Sequence, residues 1–208
     1  FEAEGDVWMT DGTASGTAQV SSIANQNVGG VRNFFEWNGE LYFEGDNGVA
    51  GDELWKYNPM TDIAVQLSNT SGSNDNHDPG AFEVVNSSLL PMEILAYAGE
   101  SGADNAPRMF STNGLLTFQL TDQFIDVNHI FYWADKELVL FQAEELDANG
   151  DDIFGKELFA YDLNTLSVEN QLAIVPDATL RLKENSVLDV NGDISNNGLI
   201  YFESNGNG

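Results

Sequence analysis

The stretch Leu146-Asp147-Ala148-Asn149-Gly150-Asp151-Asp152 sets three carboxylates and a side-chain amide around one glycine. Oxygen ligands at that density suit a hard divalent cation, and Ca2+ is the usual one. Asp147, Asn149, Asp151 and Asp152 have the alternating spacing of a calcium loop. The twelfth position counted from Asp147 is Leu158, with Glu157 beside it, so the closing Glu of the full pattern is missing. Shorter versions of the same chemistry recur at Asp189, Asn191 and Asp193, at Asn74, Asp75, Asn76 and Asp78, and at Glu44, Asp46, Asn47 and Asp52. The alternative for each is a turn whose acids are solvated. Arg32 and Arg108 are rare cations in this chain and can grip a ligand carboxylate or neutralise nearby acids. Asp104, in the polar stretch 98–107, is a further ligand-binding candidate. Tyr132, Trp133 and Trp37 offer flat faces that pack a core or line a groove.

His77 and His129 have no evident catalytic partners, and His129 lies in a strand-like run. There is no nucleophile elbow, zinc-binding helix or phosphate loop. With 34 acids a carboxylate pair somewhere is guaranteed, so a glycosidase reading carries little. A non-enzymatic binding module is expected.

These residues must be held by strands. An acid or other polar residue followed by an apolar–aromatic pair recurs as Asp6-Val7-Trp8, Glu53-Leu54-Trp55, Arg108-Met109-Phe110 and Glu157-Leu158-Phe159. Its first apolar member falls at 7, 54, 109 and 158, giving spacings of 47, 55 and 49. A second anchor, a short apolar strand ending in an aromatic, recurs at Leu41-Tyr42-Phe43, Ile94-Leu95-Ala96-Tyr97, Leu138-Val139-Leu140-Phe141 and Leu199-Ile200-Tyr201-Phe202. Turn signals such as Asp11-Gly12 and Asn113-Gly114 follow the first anchor. The expected fold is all-β and built from about four units of about fifty residues, propeller-like, with a β-sandwich as the alternative. Phe1-Glu2-Ala3-Glu4 resembles the tail of an aromatic-ending strand, and residues 199–203 end in another, so both would claim one place in a closed four-unit ring. Residues 69–80 and 98–107 are polar and glycine-rich, the long loops where binding usually resides.

Seven Lys and Arg against 34 Asp and Glu give a net charge of −27. Nucleic acid is excluded as a natural partner, and insertion into or docking on anionic membranes is disfavoured. No apolar run is long enough for a helical membrane span. Without cysteine there are no disulfides and no thiolate metal sites. Residues 1–208 are expected to be one binding domain taken from a larger multidomain chain.

The run Asp6-Val7-Trp8-Met9-Thr10-Asp11-Gly12-Thr13-Ala14-Ser15-Gly16-Thr17 resembles the repeat of large bacterial surface proteins, in which an apolar–Trp pair precedes Asp-Gly-Thr and a further Gly-Thr. Asn38-Gly39-Glu40-Leu41-Tyr42-Phe43 and Gly48-Val49-Ala50-Gly51-Asp52-Glu53-Leu54-Trp55 match it too, whereas the later units have lost Asp-Gly-Thr. The resemblance implies a propeller-like fold outside the cell. In size, acidity and lack of Cys the chain is also similar to the calcium-dependent peptide-binding domain of repeats-in-toxin (RTX) adhesins. That similarity implies a bacterial cell-surface location, bound Ca2+ and capture of a host peptide or protein C-terminus, with a glycan as the alternative partner.

Overall fold

The structure is a computed structural model. It describes residues 1–70, 76–101, 106–121, 123–147, 149–153 and 155–163, together with the backbone of four strands between residues 165 and 202. The molecule is all-β. Sheet I contains β1 (Glu2–Ala3), β2 (Asp6–Met9) and β3 (Ala18–Gln19), followed by the single-turn helix α1 (Ser21–Ala24). Sheet II is the meander β4 (Gly29–Trp37), β5 (Glu40–Asp46), β6 (Asp52–Asn58), β7 (Ile63–Gln66). Sheet III repeats that order with β8 (Gly80–Val85), β9 (Ile94–Glu100), β10 (Pro107–Thr112), β11 (Thr117–Gln119). Sheet IV has β12 (Phe124–Trp133), β13 (Leu138–Glu145) and β14 (Glu157–Asp162). These four sheets are antiparallel and separate, and none closes on itself. Beyond them, β15 (Thr165–Ile174) pairs in parallel with β17 (Val187–Asn196), and β16 (Thr179–Leu182) with β18 (Leu199–Phe202). The aromatic-ending stretch at 199–202 therefore lies in a parallel pair, unlike its three counterparts. No helix among the described residues is long and apolar enough to cross a membrane.

The anchors at 54, 109 and 158 fall on the third strand of sheets II, III and IV, and those at 41–43, 94–97 and 138–141 on the second. Strand alternation explains why each anchor is apolar on both faces. Tyr42 and Leu54 join Leu95, Tyr97 and Phe110 in a core between sheets II and III. Their neighbours Phe43 and Trp55 point the other way, into a core with Val7, Val20 and Ile23 between sheets I and II. Met109 and Ala96 likewise face sheet IV, meeting Val127, Val139 and Phe141. In sheets II and III the first member of each pair thus faces the next sheet, and the second faces the previous one. Phe159 follows the rule by packing on the core behind it, while Leu158 is 73% exposed because no described sheet covers that face.

A device invisible in the hydropathy pattern ties the strand that carries each apolar–aromatic pair to the stretch that follows it. The N–H groups of Val20, Leu67 and Leu120 donate to the carbonyls of Val7, Leu54 and Met109 at 2.9, 2.7 and 2.7 Å. Ser68 and Thr121 hydroxyls accept from the Leu54 and Met109 amides. Gln66 and Gln119 donate to the carbonyls of Ser68 and Thr121.

The first strands are bulged where they meet the second. β4 slips one residue between Gly29 and Arg32 and again between Arg32 and Phe35. β12 does the same between Ile125 and Asn128 and between Asn128 and Phe131. Positive φ at Gly30 and Asn33, and at Asp126 and His129, accommodates the extra residues. In sheet II these bulges aim Arg32 and Asn33 at the acids of β5.

Candidate functional site

In an antiparallel meander, the loop between strands two and three and the exit from strand four lie at one end of the sheet. Arg32 near the start of β4, Glu44 and Asp46 at the end of β5, and Asp52 opening β6 gather at that end. Arg32 lies opposite Glu44, and Asp46 opposite Asp52. The exit segment from sheet II folds back over them, because the His77 and Asp78 amides donate to the Asp52 carbonyl at 2.7 and 3.2 Å. That return brings the Asp78 carboxylate in.

The result is three carboxylates converging on one guanidinium. Oxygens of Glu44, Asp52 and Asp78 lie within 4.8 Å of one another, the one such group found among the described residues. Arg32 pairs with all three: with Glu44 by the closest contact, with Asp52 at 2.9 Å and with Asp78 at 3.2 Å. Glu44 is buried, and its second oxygen accepts from Asn33 Nδ2 at 2.7 Å. Burial pushes the Glu44 carboxyl up to about 7, although Arg32 pulls the other way, and Asp52 and Asp78 add repulsion. Asp52 is raised as well, first by burial. Three acids around one cation leave a net negative site.

The cluster opens into a cleft of about 820 Å³ between sheets I and II. Arg32 and Asp52 line it together with Asp6, Asp46, Gln19 and Asn27, and among the described residues no aromatic ring lines it. Half of the Arg32 side chain is solvent-exposed, at 52%.

Two further buried polar groups brace this end. Glu53 is inaccessible and accepts from the Ser68 hydroxyl, the Thr70 amide at 2.9 Å and the Thr70 hydroxyl. His77 sits between sheets II and III. Its Nδ1–H donates to the Glu100 carbonyl at 2.7 Å, and Nε2 accepts from the Tyr97 hydroxyl at 3.0 Å. Burial pushes its ring down to about 4, so it is neutral at pH 7. Gly99 leaves room for the ring: a Cβ there would come 2.7 Å from His77 Cε1. His77, unassigned from sequence, is a structural clasp.

The remaining candidates scatter. In the 146–152 loop, Asp147 turns its carboxylate inward, accepting from the amides of Asn149 and Asp151 at 2.8 and 3.0 Å. Those bonds lower its carboxyl below the ordinary range. Gly150, at φ +82°, closes the turn. Asp152 accepts from the Gly155 amide, and Asn149, Asp151 and Asp152 are all exposed. This loop is a self-capped turn, and its acids do not converge as Glu44, Asp52 and Asp78 do. Arg108 is buried and donates to Ser101 Oγ and the Ala106 carbonyl, so it packs within sheet III. Tyr132 donates to Glu137 at 2.6 Å and packs on the core, and Trp133 is 44% exposed beside it. Both sit at the end of sheet IV away from its 146–156 loop. Asn74, Asp75 and Asp104 lie outside the described residues. Asp189, Asn191 and Asp193 lie on β17 rather than in a loop, and their side chains are outside the described set.

Sequence reading had Glu44, Asp46, Asn47 and Asp52 as one cluster and Asp78 as part of another, with Arg32 apart. The exit segment's return across Asp52 merges them. A missed signal was the opposition of Arg32 to Glu44, hidden by the two bulges in β4. In comparisons with known proteins, no family model matches the chain, and neither does any curated protein or solved structure.

Proposed function

We propose that this chain is a calcium-dependent ligand-binding module of a bacterial surface adhesin, taking a peptide carboxylate in the cleft between sheets I and II. The observation that carries the reading is the convergence of Glu44, Asp52 and Asp78 around Arg32 at the cleft mouth. In this reading Arg32 holds the place of a divalent ion. Three carboxylates match the hard oxygen donors that Ca2+ prefers, with water or a ligand oxygen filling the remaining positions. When the acids take Ca2+, the guanidinium swings into the cleft it already lines and is free to grip a carboxylate with paired hydrogen bonds. A chain of net charge −27 can then hold an anionic peptide end. The polar, carboxylate-rich lining of the cleft among the described residues favours peptide over sugar, since glycan sites use flat aromatic faces for area. The sheet-by-sheet packing supports a propeller-like arrangement of the four units, and the acidity supports an extracellular setting where Ca2+ is abundant.

Arg32→Gln tests the exchange because its two effects have opposite signs. Calorimetry should show Ca2+ binding roughly 3–10-fold tighter than the wild-type affinity of about 0.1–1 mM expected for an extracellular site. Binding of a free-acid peptide in saturating Ca2+ should weaken by about ten-fold or more, as loss of a charged hydrogen bond implies. Asp52→Asn with Asp78→Asn should abolish both. Ca2+ heats identical in the double variant and the wild type would sink the proposal.

A further inference from the structure

The strands that carry the apolar–aromatic pair in sheets I, II and III, namely β2, β6 and β10, each have a neighbour on both sides, whereas β14 in sheet IV has one among the described residues, β13. In the three complete cases the second residue of the apolar–aromatic pair stands opposite a glutamine. Trp8 faces Gln19, Trp55 faces Gln66, and Phe110 faces Gln119. Each glutamine opens a short motif, Gln19-Val20-Ser21, Gln66-Leu67-Ser68 or Gln119-Leu120-Thr121. The amide of the middle residue bonds back to the first member of the pair. The sequence carries a fourth copy, Gln171-Leu172-Ala173, twelve residues beyond Phe159 where the others stand 11, 11 and 9 beyond. It lies on β15, whose backbone is paired along one edge by β17.

We infer that the outer edge of β14 is a docking surface for residues 168–173 of this same chain, added antiparallel as the fourth strand of sheet IV with Phe159 opposite Gln171. The Leu172 amide then donates to the Leu158 carbonyl, as Leu67 donates to Leu54 and Leu120 to Met109. Asp162 comes opposite Val168, leaving a five-residue hairpin loop against the four-residue loops closed by Asn58–Ile63 and Thr112–Thr117. β15 keeps its other edge for β17, so the docked strand joins the antiparallel sheets to the parallel pair. Docking also covers the outer strand of the sheet, and an outer strand is otherwise a template for aggregation. The inference stands independently of the calcium reading, since it rests on register alone.

The chain has no cysteine, so an engineered pair gives a clean readout. The register places exposed Ala160 opposite Asn170, within the Cα separation a disulfide tolerates. Ala160→Cys with Asn170→Cys in the full chain, oxidised mildly, should cross-link in most molecules, read as the loss of two hydrogens by intact mass. Ala160→Cys with Gln171→Cys is one residue out of register and directs the second thiol to the other face. It should cross-link little. Failure of the 160/170 pair, or equal yield from the two pairs, overturns the inference.

Discussion

Burial shifts the protons of Glu44 and His77 in opposite senses, and the two effects oppose one another. The Glu44 carboxyl titrates at about 7 when folded against an ordinary 4.5, so the folded state favours its protonated form. Its contribution to stability is complete below about pH 4.5 and is lost as pH rises to about 7. The His77 ring titrates at about 4 against an ordinary 6.5, so the folded state favours its neutral form. That contribution is complete above about pH 6.5 and is lost as pH falls to about 4. Each shift corresponds to roughly 3 kcal/mol for a group this inaccessible. Between about pH 4.5 and 6.5 the slopes of these two groups oppose one another. Urea denaturation of Glu44→Gln should therefore lose stability, relative to wild type, as pH falls through that window, because the stability that Glu44 gains on protonation is removed. His77→Gln should gain over the same window. Variant-minus-wild-type differences that do not move with pH would show that neither group titrates where its burial places it. Of this chemistry, the sequence made the acids and Arg32 legible. The partners of His77 were hidden because Glu100 and Tyr97 reach it from the next sheet.

At the scale of strands, the apolar–aromatic pairs were legible because both faces of an inner sheet are buried, which forces apolar residues at consecutive positions. The parity within each pair was not legible, since hydropathy does not say which core a side chain joins. Nor were the bulges, which depend on positive φ at polar residues such as Asn33 and His129 rather than on glycine alone. The Gln-Leu-Ser type of motif escaped notice because its members look like ordinary loop residues. Parity makes a quantitative prediction. Leu54 and Met109 are fully buried and face a following sheet, so Leu54→Ala and Met109→Ala should each cost about 2–5 kcal/mol. Leu158 holds the same place in its pair but faces no described sheet, and Leu158→Ala should fall within about 0.5 kcal/mol of wild type. Equal losses at all three positions in chemical denaturation would mean that something covers sheet IV.

At the scale of the whole molecule, 34 acids oppose seven Lys and Arg, and several of those cations are already committed. Arg32 serves three carboxylates, Lys56 pairs with Glu40 at 2.8 Å, and Lys156 with Asp126 at 3.1 Å. Mutual repulsion at this charge opposes the compact state, and any cation relieves part of it. Screening and site binding differ in form. Monovalent salt acts on all exposed charges, and its effect grows gradually as the Debye length falls from about 10 Å at 0.1 M to about 3 Å at 1 M. A bound ion acts through one site and follows mass action, adding about 2.7 kcal/mol once its concentration reaches a hundred times the dissociation constant. For a chain of this length that corresponds to a rise in Tm of roughly 5–10 °C. Chelation should remove that rise at constant ionic strength. Asp52→Asn with Asp78→Asn should lose the Ca2+-dependent part while keeping the response to sodium chloride. A Tm that climbs with Ca2+ equally in the double variant and the wild type would assign the whole effect to screening, and the acids at the cleft mouth would then be no more than a braced corner of sheet II.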